Sequence, residues 1–350
     1  MFRAEGVFSF HFPFMTMLNR RNALKALTLG AVGASAGTWL TAQETPRRAG
    51  GLLRRSAAQQ AGGSSTRPLR LGAAQLHISD ADPEAWAQRA VDRKFRAVNA
   101  PGNLNVNDTD RIKAFTQAVE KRNLIFAEVG RWVNLMDADP QKREANLKLV
   151  TEGLALAEEL GACCCVDIAG SFSTEHWAGP HPQNVSREFF DLAVENARKI
   201  IDAVKPKRTK FAYEMMGWAF PDTADSYLRL VRGINRSGFG VHIDVVNMVN
   251  SPDKFWNATR LINEAFDKLG PMIVSAHFKD LRWIVPDSSV HFEECVIGEG
   301  SIDFATYLTR MAALSGDVPL IIEHMRNAEE YDRCRDYLFE VGESKGIAFA

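Results

Sequence analysis

A (β/α)8 TIM barrel in one domain, residues 68–350, is the fold predicted for this chain, on three observations. Short apolar runs alternate with longer amphipathic stretches, eight of each in about 280 residues. Several runs end on a carboxylate or an imidazole, and these ends are spread through the second half of the chain. No Gly-x-Gly-x-x-Gly opens the first helix, as a doubly wound dinucleotide sheet would require. In an open sheet the polar strand ends would lie along a line. In a barrel they converge at the C-terminal mouth, where barrel active sites are built.

The strands are read over 69–76 (LRLGAAQL), 95–99 (FRAVN), 124–129 (LIFAEV), 162–168 (ACCCVDI), 210–214 (KFAYE), 239–244 (FGVHID), 272–277 (MIVSAH) and 318–323 (VPLIIE). The helices that alternate with them are read over 83–94, 108–122, 140–160, 187–204, 222–236, 253–268, 302–314 and 328–346. The third is the clearest. Leu147, Val150, Leu154 and Ala157 recur at helical spacing, and Gly161 stands just past the end as a C-cap. The long stretch 170–186 reads as a loop with solvated His176 and His181, placed to form a lid. Gly298-Glu299-Gly300 lacks the Lys-Ser/Thr of a phosphate loop. It instead turns the chain into the helix from Ile302, with Ser301 or Asp303 as cap.

Ahead of the barrel the chain changes character. Residues 1–67 carry nine Lys/Arg and two acids, leaving 33 basic and 41 acidic residues for the body. An acidic body argues against nucleic acid as a partner, because phosphate binding needs clustered Lys/Arg. Asn19-Arg20-Arg21-Asn22-Ala23-Leu24-Lys25 precedes an apolar Gly/Ala-rich run from Ala26 to Leu40, then small residues through Ala42. This pattern over residues 1–42 resembles a twin-arginine export signal, which implies the twin-arginine machinery as a partner and a periplasmic or otherwise exported destination. The run is shorter than the roughly 20 residues of a membrane span, so no stable membrane anchor is expected. Residues 43–67 are rich in Gly, Ser, Ala and Arg without periodicity and read as a disordered linker. The five cysteines, three of them consecutive at 163–165, read as buried strand residues and not as a disulfide framework.

The chemistry is carried by Glu214, Asp244, His277 and Glu323. Each ends a predicted strand, and they are spaced by 30, 33 and 46 residues, about one strand–helix unit each. They are therefore read as ligands from strands five to eight that meet at one divalent ion. Three carboxylates and one imidazole suit Mn2+, Mg2+, Co2+ or Zn2+, and the lack of thiolate disfavours a structural zinc site.

With those residues stand the motifs EMMG (214–217), Asp244-x-x-Asn247, HFKD (277–280), GEGSIDF (298–304) and IIEH (321–324). In this order they resemble the xylose-isomerase-like sugar phosphate isomerase/epimerase superfamily, over about residues 69–346. The resemblance implies a TIM barrel, a small carbohydrate substrate, and the same four metal ligands. It also implies that Glu214 and Glu323 act as paired acid and base on opposite faces of the sugar. A metal bridging a carbonyl and its neighbouring hydroxyl acidifies the adjacent C–H and stabilises an enediolate. One glutamate then removes the proton and the other returns it.

Two positions differ from the epimerases of that superfamily. Asn247 stands where they show a histidine, and Phe220 where a second glutamate is usual after the strand-five one. The same base chemistry can end in elimination, so a lyase or dehydratase on a polyol, keto-sugar or glycoside is the alternative. A non-catalytic sugar-binding barrel and an endonuclease-IV-like phosphodiesterase are further readings, the latter opposed by the acidic body. Substrate contacts are expected from His77, Glu128, Trp132, Asn247 and Lys279, and an apolar wall from Trp177 and Trp218. Lys279 shares a strand face with His277, and His242 shares one with Asp244, one layer deeper. A neutral sugar is preferred to a phosphorylated one, since no basic cluster marks a phosphate pocket. A homo-oligomer is compatible with this reading.

Overall fold

The strands are short and buried on both faces because each is covered by helix outside and by other strands inside. In the computed structural model, residues 67–285 and 289–350 are described. The signal region and the linker up to residue 66 lie outside the described residues. The barrel strands are β1 (Leu71–Ala73), β2 (Ala97–Asn99), β3 (Ile125–Gly130), β4 (Cys164–Asp167), β5 (Lys210–Tyr213), β6 (Val241–Asp244), β7 (Ile273–Phe278) and β10 (Leu320–Ile322). All pair in parallel, in the order β5-β4-β3-β2-β1-β10-β7-β6.

The two ends of that order meet at a single bridge between Phe211 and Phe239. There Phe211 N donates to Gly238 O and Gly240 N donates to Phe211 O, both at 2.8 Å. The seam needs small residues. A Cβ on Gly240 would lie 2.8 Å from a Val274 methyl. Inside the barrel Ala97, Ala127 and Ile321 form a small apolar plug. Gly72 lets β1 approach it, since a Cβ there would lie 2.3 Å from Ala97 O. The main core lies outside the strands, against the helices.

The helices are α1 (Pro83–Asp92), α2 (Thr109–Glu120), α3 (Pro140–Leu160), α4 (Arg187–Val204), α5 (Ala224–Ile234), α6 (Val245–Met248), α7 (Pro252–Trp256), α8 (Ala258–Leu269), α9 (Phe304–Ala312) and α10 (Ala328–Ser344). Gly161 ends α3 with a left-handed φ of 67°, the expected C-cap. Asp303 caps α9 through Thr306 N, so the cap is Asp303 and not Ser301. The single helix expected over 253–268 is two. Asn257 separates them, its amide turned back onto Asp253. The five cysteines are free, and all but Cys163 are buried. Among the described residues no helix is long and apolar enough to cross a membrane.

Besides the short α6, a hairpin has no counterpart in the sequence reading. An antiparallel hairpin, β8 (Asp280–Ile284) with β9 (His291–Cys295), rises from the end of β7. Its apolar face packs on α7, with Phe292 on Phe255 at 5.0 Å and Trp283 on Trp256 at 4.9 Å between ring centroids. That packing is a long-range contact, which local periodicity does not report. The carboxylate of Asp280 anchors the base of the hairpin by accepting from the amides of Leu281, Gly298, Gly300 and Ile302 at 2.8–3.1 Å. The Gly298–Gly300 turn therefore wraps a carboxylate of its own chain. A Cβ on Gly300 would lie 2.2 Å from Asp280 Oδ1.

Gly72→Ala should destabilise the barrel by about 1–3 kcal/mol, because the clash is with backbone that cannot move aside. Thermal or urea unfolding of the variant checks this, and unchanged stability would show that β1 and β2 can separate at no cost.

Candidate metal centre

The strand register brings the site together. Asp244, the last residue of β6, pairs with His277 of β7, and His277 pairs with Ile321 of β10. Glu323 follows β10 and Glu214 follows β5, so all four stand at the C-terminal ends of their strands. Each offers an atom to a cluster whose members lie within 4.8 Å of one another, and all four residues are buried. His277 Nδ1 lies 3.2 Å from Glu214 Oε1 and in closer contact with Glu323 Oε2.

Lys279 closes the cluster from above. Its ammonium is 2.9 Å from Asp244 Oδ2, 3.3 Å from Glu323 Oε1 and 3.0 Å from Asn247 Oδ1. It is buried, and the carboxylate of the adjacent Asp280 is filled by amides. Asn247 Nδ2 donates to Glu214 Oε1 at 3.0 Å, and Trp132 Nε1 donates to Glu214 Oε2 at 2.8 Å. Both oxygens of Glu214 are thus held in place. Trp132 remains 39% exposed, so its ring faces the mouth.

Glu128 takes a different place from the mouth position expected of it. It is fully buried behind His277, where the β2–β3 register slips between Val98 and Asn99. Its Oε2 is 3.0 Å from His277 Nε2 and its Oε1 is 3.0 Å from His242 Nε2, with Ser275 Oγ also on Oε1. A carboxylate on Nε2 leaves Nδ1 of His277 to face the cluster. His242, expected one layer deeper than Asp244, is that deeper residue. His77 is not brought to the cluster: it is exposed after β1, its ring 5.5 Å from Tyr331. In the loop expected over 170–186, His181 caps a 3-10 turn at Pro182–Val185, and Trp218 Nε1 donates to Ala178 O at 2.6 Å.

Three further residues join the site that the sequence reading does not include. Asp167 ends β4, buried, its Oδ1 accepting from Val133 and Ile168 amides while Oδ2 has no hydrogen-bond partner. It ends a strand as the four ligands do, so the strand-end signal is present there too. Glu294 of β9 and His324 reach the cluster from the hairpin and from the turn after β10; Glu294 Oε1 is 3.6 Å from Lys279 Nζ. Glu294 carries no comparable sequence signal, because only the hairpin places it.

The family profile for the xylose isomerase-like TIM barrel matches residues 87–340. The chain belongs to this family. No curated protein sequence matches it. Solved structures similar to this xylose isomerase-like barrel include a xylose isomerase-like protein from Mycobacterium smegmatis in complex with magnesium, at 16% identity and TM-score 0.56, covering 79% of this chain and 97% of that one. A 3-keto-D-glucoside 4-epimerase from E. coli is 14% identical, with TM-score 0.57 and 78% and 99% coverage. Endonuclease IV from Thermus thermophilus is 15% identical, with TM-score 0.60 and 79% and 99% coverage. At such identities the likeness is one of fold, and the chemistry must be argued from the side chains.

Electrostatics set the charge state of the cluster. Burial alone would push every carboxylate up. It lifts Asp244 to about 6, against the pull of the Lys279 ammonium. Burial and the Glu323 charge also push on Glu214, but His277 and Lys279 outweigh them and hold it at about 2. Burial opposes the charge on His277, yet Glu323, Glu128 and Glu214 raise its pKa well above the usual range. Burial carries Asp167 well above the ordinary carboxylate range in spite of its two amide donors. The donor set, three carboxylates and an imidazole in one buried cluster, fits a divalent ion.

Replacing Glu128 with Ala should cost about 3–5 kcal/mol, since it strands two buried imidazoles that now share one carboxylate. Chemical denaturation of the variant is the check. A cost below about 1 kcal/mol would mean that His242 and His277 find other partners.

Proposed function

We propose that this protein is a metal-dependent carbohydrate epimerase or isomerase that moves a proton on a carbon beside a carbonyl, with Glu214 and Glu323 as its acid/base pair. The observation that carries the reading is the convergence of these two carboxylates, from β5 and β10, on the same His277 nitrogen beside Asp244. Glu214, Asp244, His277 and Glu323 would hold the ion, with Mn2+, Mg2+, Co2+ and Zn2+ all compatible with the donors. When bound, the ion supplies Lewis-acid polarisation of the substrate oxygens.

The remaining work falls to the chain's own groups. Glu214, held by Trp132 and Asn247, takes or returns the proton from one side, and Glu323 acts from the other. The Lys279 ammonium is placed to stabilise negative charge developing on a substrate oxygen. Asn247 orients Glu214 and Lys279 by hydrogen bonds, and its amide does not itself transfer a proton. Trp132, partly exposed, offers an apolar face to a sugar ring. The 3-keto-D-glucoside 4-epimerase among the similar structures supports a keto-sugar or glycoside as substrate.

Elimination is the second reading. It is favoured by Asn247 at the place where the epimerases it resembles show a histidine. Phosphodiester hydrolysis, the endonuclease IV activity, is opposed by the acidic balance of the body, 33 basic against 41 acidic residues after residue 67. The Arg20-Arg21 pair with its apolar run supports export through the twin-arginine route to the periplasm.

The purified chain should bind a single divalent ion, measured by elemental analysis. With a 3-keto-D-glucoside or a free ketohexose in deuterated water it should exchange a substrate C–H, followed by NMR. Glu214→Gln and Glu323→Gln should each slow that exchange by about 100- to 10,000-fold. Full exchange in both variants would remove the acid/base assignment. Exchange accompanied by loss of water from the substrate would make the protein a lyase.

A further inference from the structure

Glu323 has a neighbour that the proposed chemistry does not use. His324 follows it directly and has a φ of 60°, in the left-handed region that side chains with a Cβ adopt at a cost. Six non-glycine residues among those described have positive φ. Lys94, Asn123, Lys205 and Asn235 stand at the ends of α1, α2, α4 and α5, where a left-handed residue stops a helix. His77 lies exposed after β1, away from the cluster. His324 ends no helix either; it follows strand β10 and touches the cluster. Strain at such a position points to a function.

The geometry shows what the strain achieves. Consecutive residues of an extended chain point to opposite faces. The left-handed step at His324 breaks that alternation and folds its ring back onto the preceding side chain. Nε2 of His324 lies 2.7 Å from Glu323 Oε1. Nδ1 lies 2.7 Å from Glu294 Oε2 on the hairpin strand β9. Both ring nitrogens are therefore occupied, and the imidazole bridges two carboxylates from separate elements. Glu323 Oε1 is held by His324 and Lys279, which leaves Oε2 turned to His277. The other side of His324 opens onto a polar cleft of about 290 Å3 lined by Arg282, Glu293, Glu299, Arg326 and Glu330.

We infer that His324, steadied by Glu294, is a positioning residue that aims the Glu323 carboxylate into the metal and proton-transfer site. The β8–β9 hairpin is then part of the site and not only its rim. This inference rests on the proposed role of Glu323.

The test is Mn2+ binding to the full chain by calorimetry, with melting temperatures of the chelator-treated protein. Glu323→Gln serves as the control for the underlying reading. His324→Gly should weaken Mn2+ binding about 10- to 100-fold, the usual effect of removing a group that orients a ligand. It should not lower the melting temperature, because glycine accepts this backbone without strain. His324→Asn, which tolerates the same backbone region and can still donate one hydrogen bond, should recover part of the affinity. If Glu323→Gln loses affinity while His324→Gly stays within about twofold of the parent, the inference falls and the site assignment stands. A melting temperature that drops in His324→Gly and is not restored in His324→Asn would make His324 structural and also overturn it. A parent chain that binds none of Mn2+, Mg2+, Co2+ and Zn2+ in the same titration would overturn both readings.

Discussion

Crowded negative charge is the constraint on which this structure turns. Glu214, Asp244 and Glu323 are brought within a few ångströms of one another and buried. Burial and mutual repulsion both oppose ionisation there. The surroundings answer with cations placed to touch several carboxylates at once. Lys279 reaches Asp244 and Glu323, and His277 reaches Glu214 and Glu323. A divalent ion would satisfy the same demand with its own charge.

The fold supports this arrangement through its strand register. Parallel strands put like positions at like heights, so residues at equivalent strand ends meet at one level. Gly72 and Gly240 allow the sheet to close tightly enough for Glu214 and Glu323, which follow β5 and β10, to face a common centre. Beneath that level, Glu128 shows how the barrel interior is used as a support. It takes one oxygen to His277 and the other to His242, and so fixes which nitrogen of His277 looks upward. Above it, Asp280 ties the hairpin to the Gly298–Gly300 turn and so places Lys279, its neighbour in sequence.

Much of this is readable in the chain. Alternating apolar runs and amphipathic stretches lead to the barrel because burial on both faces of each strand leaves a periodic record. The four cluster residues are legible because each ends such a run, and strand ends are positions that a barrel must bring together. Asp167 carries the same signal, yet an aspartate beside a run of cysteines looks like packing. The misplacement of Glu128 has a related cause. Strand parity puts a residue inside or outside, but the slip between Val98 and Asn99 changes where in depth it ends.

The sequence by itself determined the barrel and pointed to the four strand-end residues that converge at its mouth, because these depend on local patterns repeated at regular spacing. It also carries the basic character of residues 1–67 and the acidic character of the body, which are matters of composition. Only the tertiary structure decided what surrounds the ligands. Lys279 as a buried counter-charge, Glu128 as a support, and Glu294 with His324 as a bridge on Glu323 all depend on contacts between residues far apart in the chain. Such contacts leave no periodic trace. They arise when a hairpin packs on α7 and when one residue takes a left-handed turn, and both are settled by three-dimensional packing.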